Sequence, residues 1–214
     1  MTNENPPTSV VWEYRGGPHL ALWRMPISAE RSIHWLEAQE GTPGVIAIPR
    51  DGERLLLQRQ FRPATGRSHL QFPRGFGEPE LGGPLENAKR ELAEETSLIA
   101  GDAFHLGSLY ADPGILSGRS DVVLVETDLS IAPRSDDEWE APLIEEFVIL
   151  TRGEVTSLIQ QGQLDDALTL AALALLDAHR DQRQRVVRLF GAARNHCHFG
   201  AEGVKEPDVG AGDA

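Results

Sequence analysis

The segment from 85 to 96, LENAKRELAEET, does most to restrict the fold. It contains neither Gly nor Pro and is built largely from Ala, Leu, Glu, Lys and Arg, which cost least in a helix. Its surroundings are of another kind. VVWEY, LALWRM and SIHWL, broken by Gly16-Gly17-Pro18 and Pro26, predict two or three antiparallel strands. GVIAIP and RLLLQRQF, joined by Arg50-Asp51-Gly52, predict a hairpin. Gly66, Pro73, Gly75 and Gly77 predict an irregular loop before the helix. After it, FHLGSLYA, DVVLVET and PLIEEFVIL predict strands, and a helix is expected over 154–161. Asp165 or Asp166 then caps a long Ala/Leu helix that runs to about Arg180. The order is strands, helix, strands, two helices. It implies an α/β fold with a mixed sheet and helices on both faces, not an alternating parallel fold.

The 214 residues suit one domain, with or without a small attached piece. A net charge of −13 argues against a nucleic-acid partner, which calls for a basic face. No apolar run approaches the length of a membrane span, so no membrane association is expected. Cys197 is the single cysteine, which rules out an intrachain disulfide and suits a reducing, cytoplasmic setting. MTNENPPTS lacks a basic segment followed by an apolar run, so no signal peptide is expected. Residues 1–8 are expected to be disordered and 191–214 to form a flexible tail. His196-Cys197-His198 are zinc-ligating types, but adjacent ligands without a second cluster make a poor tetrahedral site.

On a helix at about 100° per residue, Glu91, Glu94 and Glu95 share one sector about 100° wide. Leu85, Ala88 and Leu92 fall beside them as a packing stripe. Like charges at helical spacing repel. A solvated face tolerates that cost. A divalent cation removes it. The preceding Arg74-Gly75-Phe76-Gly77 favours the cation, because Gly lets a backbone carbonyl approach closely. Magnesium takes oxygen ligands of this kind and keeps several waters. Arg90 lies one turn from Glu94 and from Glu86, placed to orient carboxylates.

The run from Gly75 through Arg90-Glu91-Leu92-Ala93-Glu94-Glu95-Thr96-Ser97-Leu98 resembles the signature of the Nudix hydrolase family. The core of that signature, Arg-Glu-aliphatic-x-Glu-Glu, is intact. Two positions depart from it. Fourteen residues separate Gly75 from Arg90 where the family has thirteen, and the family's first Glu falls at Leu81 or Gly82. Glu80 or Glu78 is expected to substitute for that Glu, which in the family supports the Arg. Ser97 replaces a Gly that ends the helix in a left-handed conformation, at a cost of about 1 kcal/mol.

The resemblance extends over roughly 10–180. Arg59-Gln60-Phe61-Arg62-Pro63, LQFPRGFGE, Pro113-Gly114 and Gly162-Gln163-Leu164-Asp165-Asp166-Ala167-Leu168-Thr169 are similar to the ADP-ribose pyrophosphatase branch, and Pro113 stands fifteen residues past Leu98. The resemblance implies a Nudix-type α/β/α sandwich over 41–190, with a mixed sheet. It also implies an N-terminal antiparallel strand region over 9–40 that is exchanged in a homodimer. Trp12, Tyr14, Trp23 and Trp35 are then candidates to stack on a base, although core or interface packing is the more ordinary role for such residues. It implies magnesium, with manganese as the alternative, held by Gly75, Glu91, Glu94 and Glu95. It implies a small-molecule nucleotide substrate contacted by Arg62, Arg74 and Pro113. Catalysis would fall to Glu91 and to a base on the acidic stretch, Glu140 first and Glu138 second, with Glu145 and Glu146 following. The implied reaction is hydrolysis of ADP-ribose or a related nucleoside diphosphate sugar to a nucleoside monophosphate and a sugar phosphate. The alternatives are another nucleotide pyrophosphate, or a nucleotide-binding regulator without turnover.

Overall fold

The computed structural model describes residues 8–16, 19–38, 42–135 and 141–194, with side chains as far as Arg180. Strands β1 (Ser9–Tyr14), β2 (Leu20–Pro26) and β3 (Ser32–Ala38) form an antiparallel sheet in that order. A seven-stranded sheet follows, from β4 (Gly44–Asp51), β5 (Arg54–Arg62), β6 (Arg67–Gln71), β7 (Arg74–Phe76), β8 (Ala103–Tyr110), β9 (Arg119–Glu126) and β10 (Ile144–Thr151). The helices are α1 (Pro84–Thr96), α2 (Arg152–Gln160) and α3 (Ala167–Arg194). The chain divides into two compact units, 1–177 and 178–214, and the second is described through the continuation of α3 to Arg194. Among the described residues no helix is long and apolar enough to cross a membrane. The expectations for residues 1–7, for Glu138 and Glu140, and for His196-Cys197-His198 fall outside the described residues.

Strand order in the large sheet is β10-β5-β4-β9-β8. β4 runs parallel to β9, and the remaining pairs are antiparallel. The sheet is buried on both faces, so successive β4 residues serve different cores. Ile46 and Ile48 pack toward Val155 of α2 and Ala172, Leu173 and Leu176 of α3. Val45 and Ala47 pack toward Ala88 and Leu92 of α1. This is the α/β/α sandwich with an antiparallel N-terminal sheet.

β4 and β5 pair only next to their hairpin, at Arg50↔Leu55 and Asp51↔Arg54. Beyond it they fork. β4 takes β7 as its partner through Gly44↔Phe76 to Ile46↔Arg74, and β5 takes β6 through Gln58↔Gln71 to Arg62↔Arg67. The segment expected as irregular loop therefore contains two strands. RSHLQ and RGF are too short to announce themselves, and their extended form comes from the partners they find in the fork. The last helix also runs further than its expected end near Arg180. Asp166 is its cap, accepting from Thr169 N at 2.9 Å. The small sheet joins the body where Leu36 N donates to Ile115 O at 2.7 Å and Ser117 N donates to Leu36 O at 3.0 Å.

Candidate active site

Helix α1 starts with Pro84 at its first position, where a missing N–H costs nothing. It ends at Ser97, with φ 55°, whose N–H donates to Ala93 O at 2.8 Å. Ser97 is the only non-glycine with positive φ among the described residues, so the helix stops where the sequence placed its left-handed end. Between these ends Glu91 and Glu95 turn inward, 5% and 2% exposed, while Glu94 stays at the surface.

Arg90 ties the three parts of the site together. Its Nη2 donates to Phe76 O at 2.7 Å and to Glu91 Oε1 at 2.5 Å, and its Nη1 donates to Glu94 Oε2 at 2.5 Å. Glu78 Oε1 lies 3.5 Å from its Nε, so of the two proposed substitutes for the signature's first Glu it is Glu78 that faces the guanidinium. Burial works against the Arg90 charge, but Glu91, Glu94 and Glu78 outweigh it and hold the group above its ordinary value. The loop between Gly77 and α1 contains the 3₁₀ turn Pro79–Leu81, followed by Gly82 and Gly83 with positive φ.

Gly75 sits against the carboxylate of Glu91. A Cβ there would lie 2.4 Å from Oε1 and 2.6 Å from Oε2, so no other residue fits while Glu91 keeps its place. Among the described residues no three His, Cys, Asp or Glu side chains converge as a ready cage for an ion. Glu91 and Glu94 meet Arg90, and Glu95 Oε2 accepts from Gln58 Nε2 at 2.6 Å. The donor set still fits a hard divalent cation. Two carboxylates are withdrawn from water on one helix face, one of them pressed against a glycine backbone, and burial of such charge is costly without a compensating cation.

Beside Gly75 opens a cavity of about 500 Å³. Arg62, Arg74 and Arg119 line it, with Leu36, Phe76 and Leu116 among its apolar walls. Arg62 Nε and Arg74 Nη2 both donate to Gln71 Oε1, at 3.0 and 3.3 Å, and Arg74 Nη1 donates to Asp166 at 2.8 Å. Pro113 is exposed and does not line the cavity; its loop does, through Ala111, Leu116 and Gly118. The loop is held by Asp112, whose side chain accepts from Gly114 N at 3.0 Å. Glu145 accepts from Ser68 Oγ at 2.5 Å and Glu146 pairs with Arg59 at 2.6 Å. Trp12 stacks on Tyr14 at 6.4 Å and Trp23 on Trp35 at 6.2 Å.

Gln58, Asn87 and Arg119 join the site without having been candidates in the sequence, and Gln60 and Gln71 stood there only as members of longer motifs. Gln58 and Gln60 had a signal: two amides two residues apart fall on one face of a strand, here in an otherwise leucine-rich run. Arg119 had none beyond its place at the start of a strand.

Residues 41–184 match the family model of the NUDIX domain. An uncharacterized Nudix hydrolase of Schizosaccharomyces pombe is 28% identical over 176 residues, covering 78% of this chain and 82% of that protein. The crystal structure of an ADP compounds hydrolase superposes with a TM-score of 0.63 at 19% identity, over 86% of this chain and 100% of that one. The family match spans well over half the chain and includes the helix that carries Glu91, Glu94 and Glu95. The chain belongs to the Nudix family and is a Nudix pyrophosphatase.

Proposed function

We propose that the protein hydrolyses the pyrophosphate of ADP-ribose or a related nucleoside diphosphate sugar, giving a nucleoside monophosphate and a sugar phosphate. One observation carries this reading: Arg62 and Arg74 line the same cavity as Gly75, whose backbone lies against Glu91. A diphosphate needs cationic donors on one side and divalent metal on the other, and the walls beyond are apolar enough for a base or sugar face. The likeness to an ADP compounds hydrolase agrees with an adenosine diphosphate moiety.

Enzymes of this family generally use divalent metals. Gly75, Glu91 and Glu95 would hold the ion, and Glu94 would join them on leaving Arg90. Magnesium, or manganese in its place, supplies Lewis acidity toward the phosphoryl oxygens. Arg62 and Arg74 bind the diphosphate oxygens and offset charge that builds as the bridging P–O bond breaks. Arg90 keeps Glu91 directed at the ion. A glutamate of the acidic stretch, Glu140 before Glu138, takes the proton of the attacking water. Exposed Val10, Trp12, Tyr14 and Ile33 of the small sheet support a homodimer that covers them.

A hydrolysis screen with ADP-ribose, nucleotide sugars and nucleoside triphosphates, with and without magnesium, tests the reading beside Glu95→Gln. Diphosphate sugars are expected to turn over, EDTA to abolish it, and Glu95→Gln to lower it by about a hundredfold or more. Preference for triphosphates would sink the substrate assignment. Full activity in Glu95→Gln would place the metal elsewhere.

A further inference from the structure

Gln58 is an anomaly in the core. It follows Leu55, Leu56 and Leu57 on a strand buried on both faces, and it is 0% exposed. Its Nε2 donates to Glu95 Oε2 at 2.6 Å and to Gln60 Oε1 at 3.2 Å. Its Oε1 is buried without a hydrogen-bond partner among the described residues. Such an orphan acceptor costs about 1–3 kcal/mol, and a leucine or methionine would spare the fold that cost.

Turning the amide over does not help. Oε1 would then face the Glu95 carboxylate and Gln60 Oε1, both acceptors. The orientation is fixed from the far side too. Gln60 Oε1 also accepts from Gln71 Nε2 at 2.5 Å, and Gln71 Oε1 faces the guanidiniums of Arg62 and Arg74, which only donate. Every amide between the carboxylate and the arginines has one allowed direction. A fold has no use for this polarity at the cost of an orphaned oxygen, but a carboxylate that must present a set oxygen to an ion does.

We propose that Gln58, locked by Gln60, is a positioning residue for the metal site: it occupies Glu95 Oε2 and thereby aims the rest of the carboxylate. The inference rests on the reading of Glu95 as a metal ligand. The test is titration of the full-length protein with Mn²⁺, free ion read by electron paramagnetic resonance without substrate, for wild type, Gln58→Met and Glu95→Gln, each with a melting curve. Gln58→Met is expected to stay folded and to bind Mn²⁺ about ten- to a hundredfold more weakly. Affinity within about twofold of wild type, even with a lowered melting temperature, makes Gln58 a packing residue and overturns the inference. If Gln58→Met does not fold, Gln58→Asn takes its place, since its amide is drawn back by one methylene, with the same two outcomes. Glu95→Gln separates the layers. Unchanged Mn²⁺ affinity there removes the ligand assignment itself, whereas a loss there without one at Gln58 removes only the positioning role.

Discussion

Substitution of Gly75 by alanine gives the sharpest test of how the site is built. The new Cβ would stand 2.4 Å from Oε1, 2.6 Å from Oε2 and 2.7 Å from Cδ of Glu91. Ordinary contact requires the carboxylate to retreat by about 1 Å. Backbone strain is not at issue, because Gly75 does not have positive φ. The clash is with the far end of a flexible side chain, so the fold is expected to yield locally, with a melting temperature within a few degrees of wild type. The ligand, however, has nowhere equivalent to go. Glu91 is 5% exposed and already bound by Arg90. A misplacement of about 1 Å costs roughly a hundredfold in rate, or about 2.7 kcal/mol of barrier. The assay is kcat/KM for magnesium-dependent hydrolysis, with Mn²⁺ affinity measured beside it. A folded Gly75→Ala protein with kcat/KM within about threefold of wild type would refute the claim that this glycine is set by Glu91. Gly77→Ala is the contrasting case. Its Cβ meets Pro43 O, a backbone atom, at 2.7 Å, so it is expected to lower stability by about 1–3 kcal/mol.

Ser97→Gly is expected to raise stability by about 0.5–1 kcal/mol in denaturant melts, since it relieves a left-handed side chain while freeing the unfolded chain. Asp166→Ala removes both the cap of α3 and a partner of Arg74. About 1 kcal/mol of stability should be lost together with a rise in KM, and an unchanged KM would detach Arg74 from substrate. Glu154 is held below its ordinary carboxyl value of 4.5 by hydrogen bonds from the backbone N–H and then the hydroxyl of Thr151. A depressed folded value stabilises above the unfolded one and is lost as pH falls through the lower folded one. Glu154→Ala should therefore melt earlier than wild type near pH 7, with the gap closing below pH 4.5, and an equal gap at about pH 3 would contradict this.

How far the sequence carried these conclusions depended on which forces are local. Helix propensity is local, so LENAKRELAEET and a cap at Asp165 or Asp166 could be read directly, and with them the shared sector of Glu91, Glu94 and Glu95. Which aspartate caps and which glutamates are buried depend on the packing around them. The alternation of Val45-Ile46-Ala47-Ile48 serves two cores and reads in the sequence as a continuous apolar run. Strands β6 and β7 were not legible, since RSHLQ and RGF are extended only through partners far along the chain. The glutamine chain escaped for a related reason. A polar residue in a strand is ordinarily read as facing water, and only the approach of Glu95 from α1 makes Gln58 an interior one. Arg119 carries no local signature, and it joins the cavity because β9 runs parallel to β4 with Ser120 opposite Gly44.

The turn before α1 bears on how this site tolerates change. Asn87 accepts from Glu78 N at 2.6 Å and donates to Glu78 O at 3.2 Å and Gly83 O at 2.8 Å. One side chain thus staples both margins of the segment 79–82. Gly75 and the Phe76 carbonyl gripped by Arg90 lie outside that staple. The staple separates the turn 79–82 from the contact between Gly75 and Glu91. Insertions within 79–82 are therefore expected to leave hydrolysis within about threefold of wild type as long as Asn87 keeps its contacts to Glu78 and Gly83.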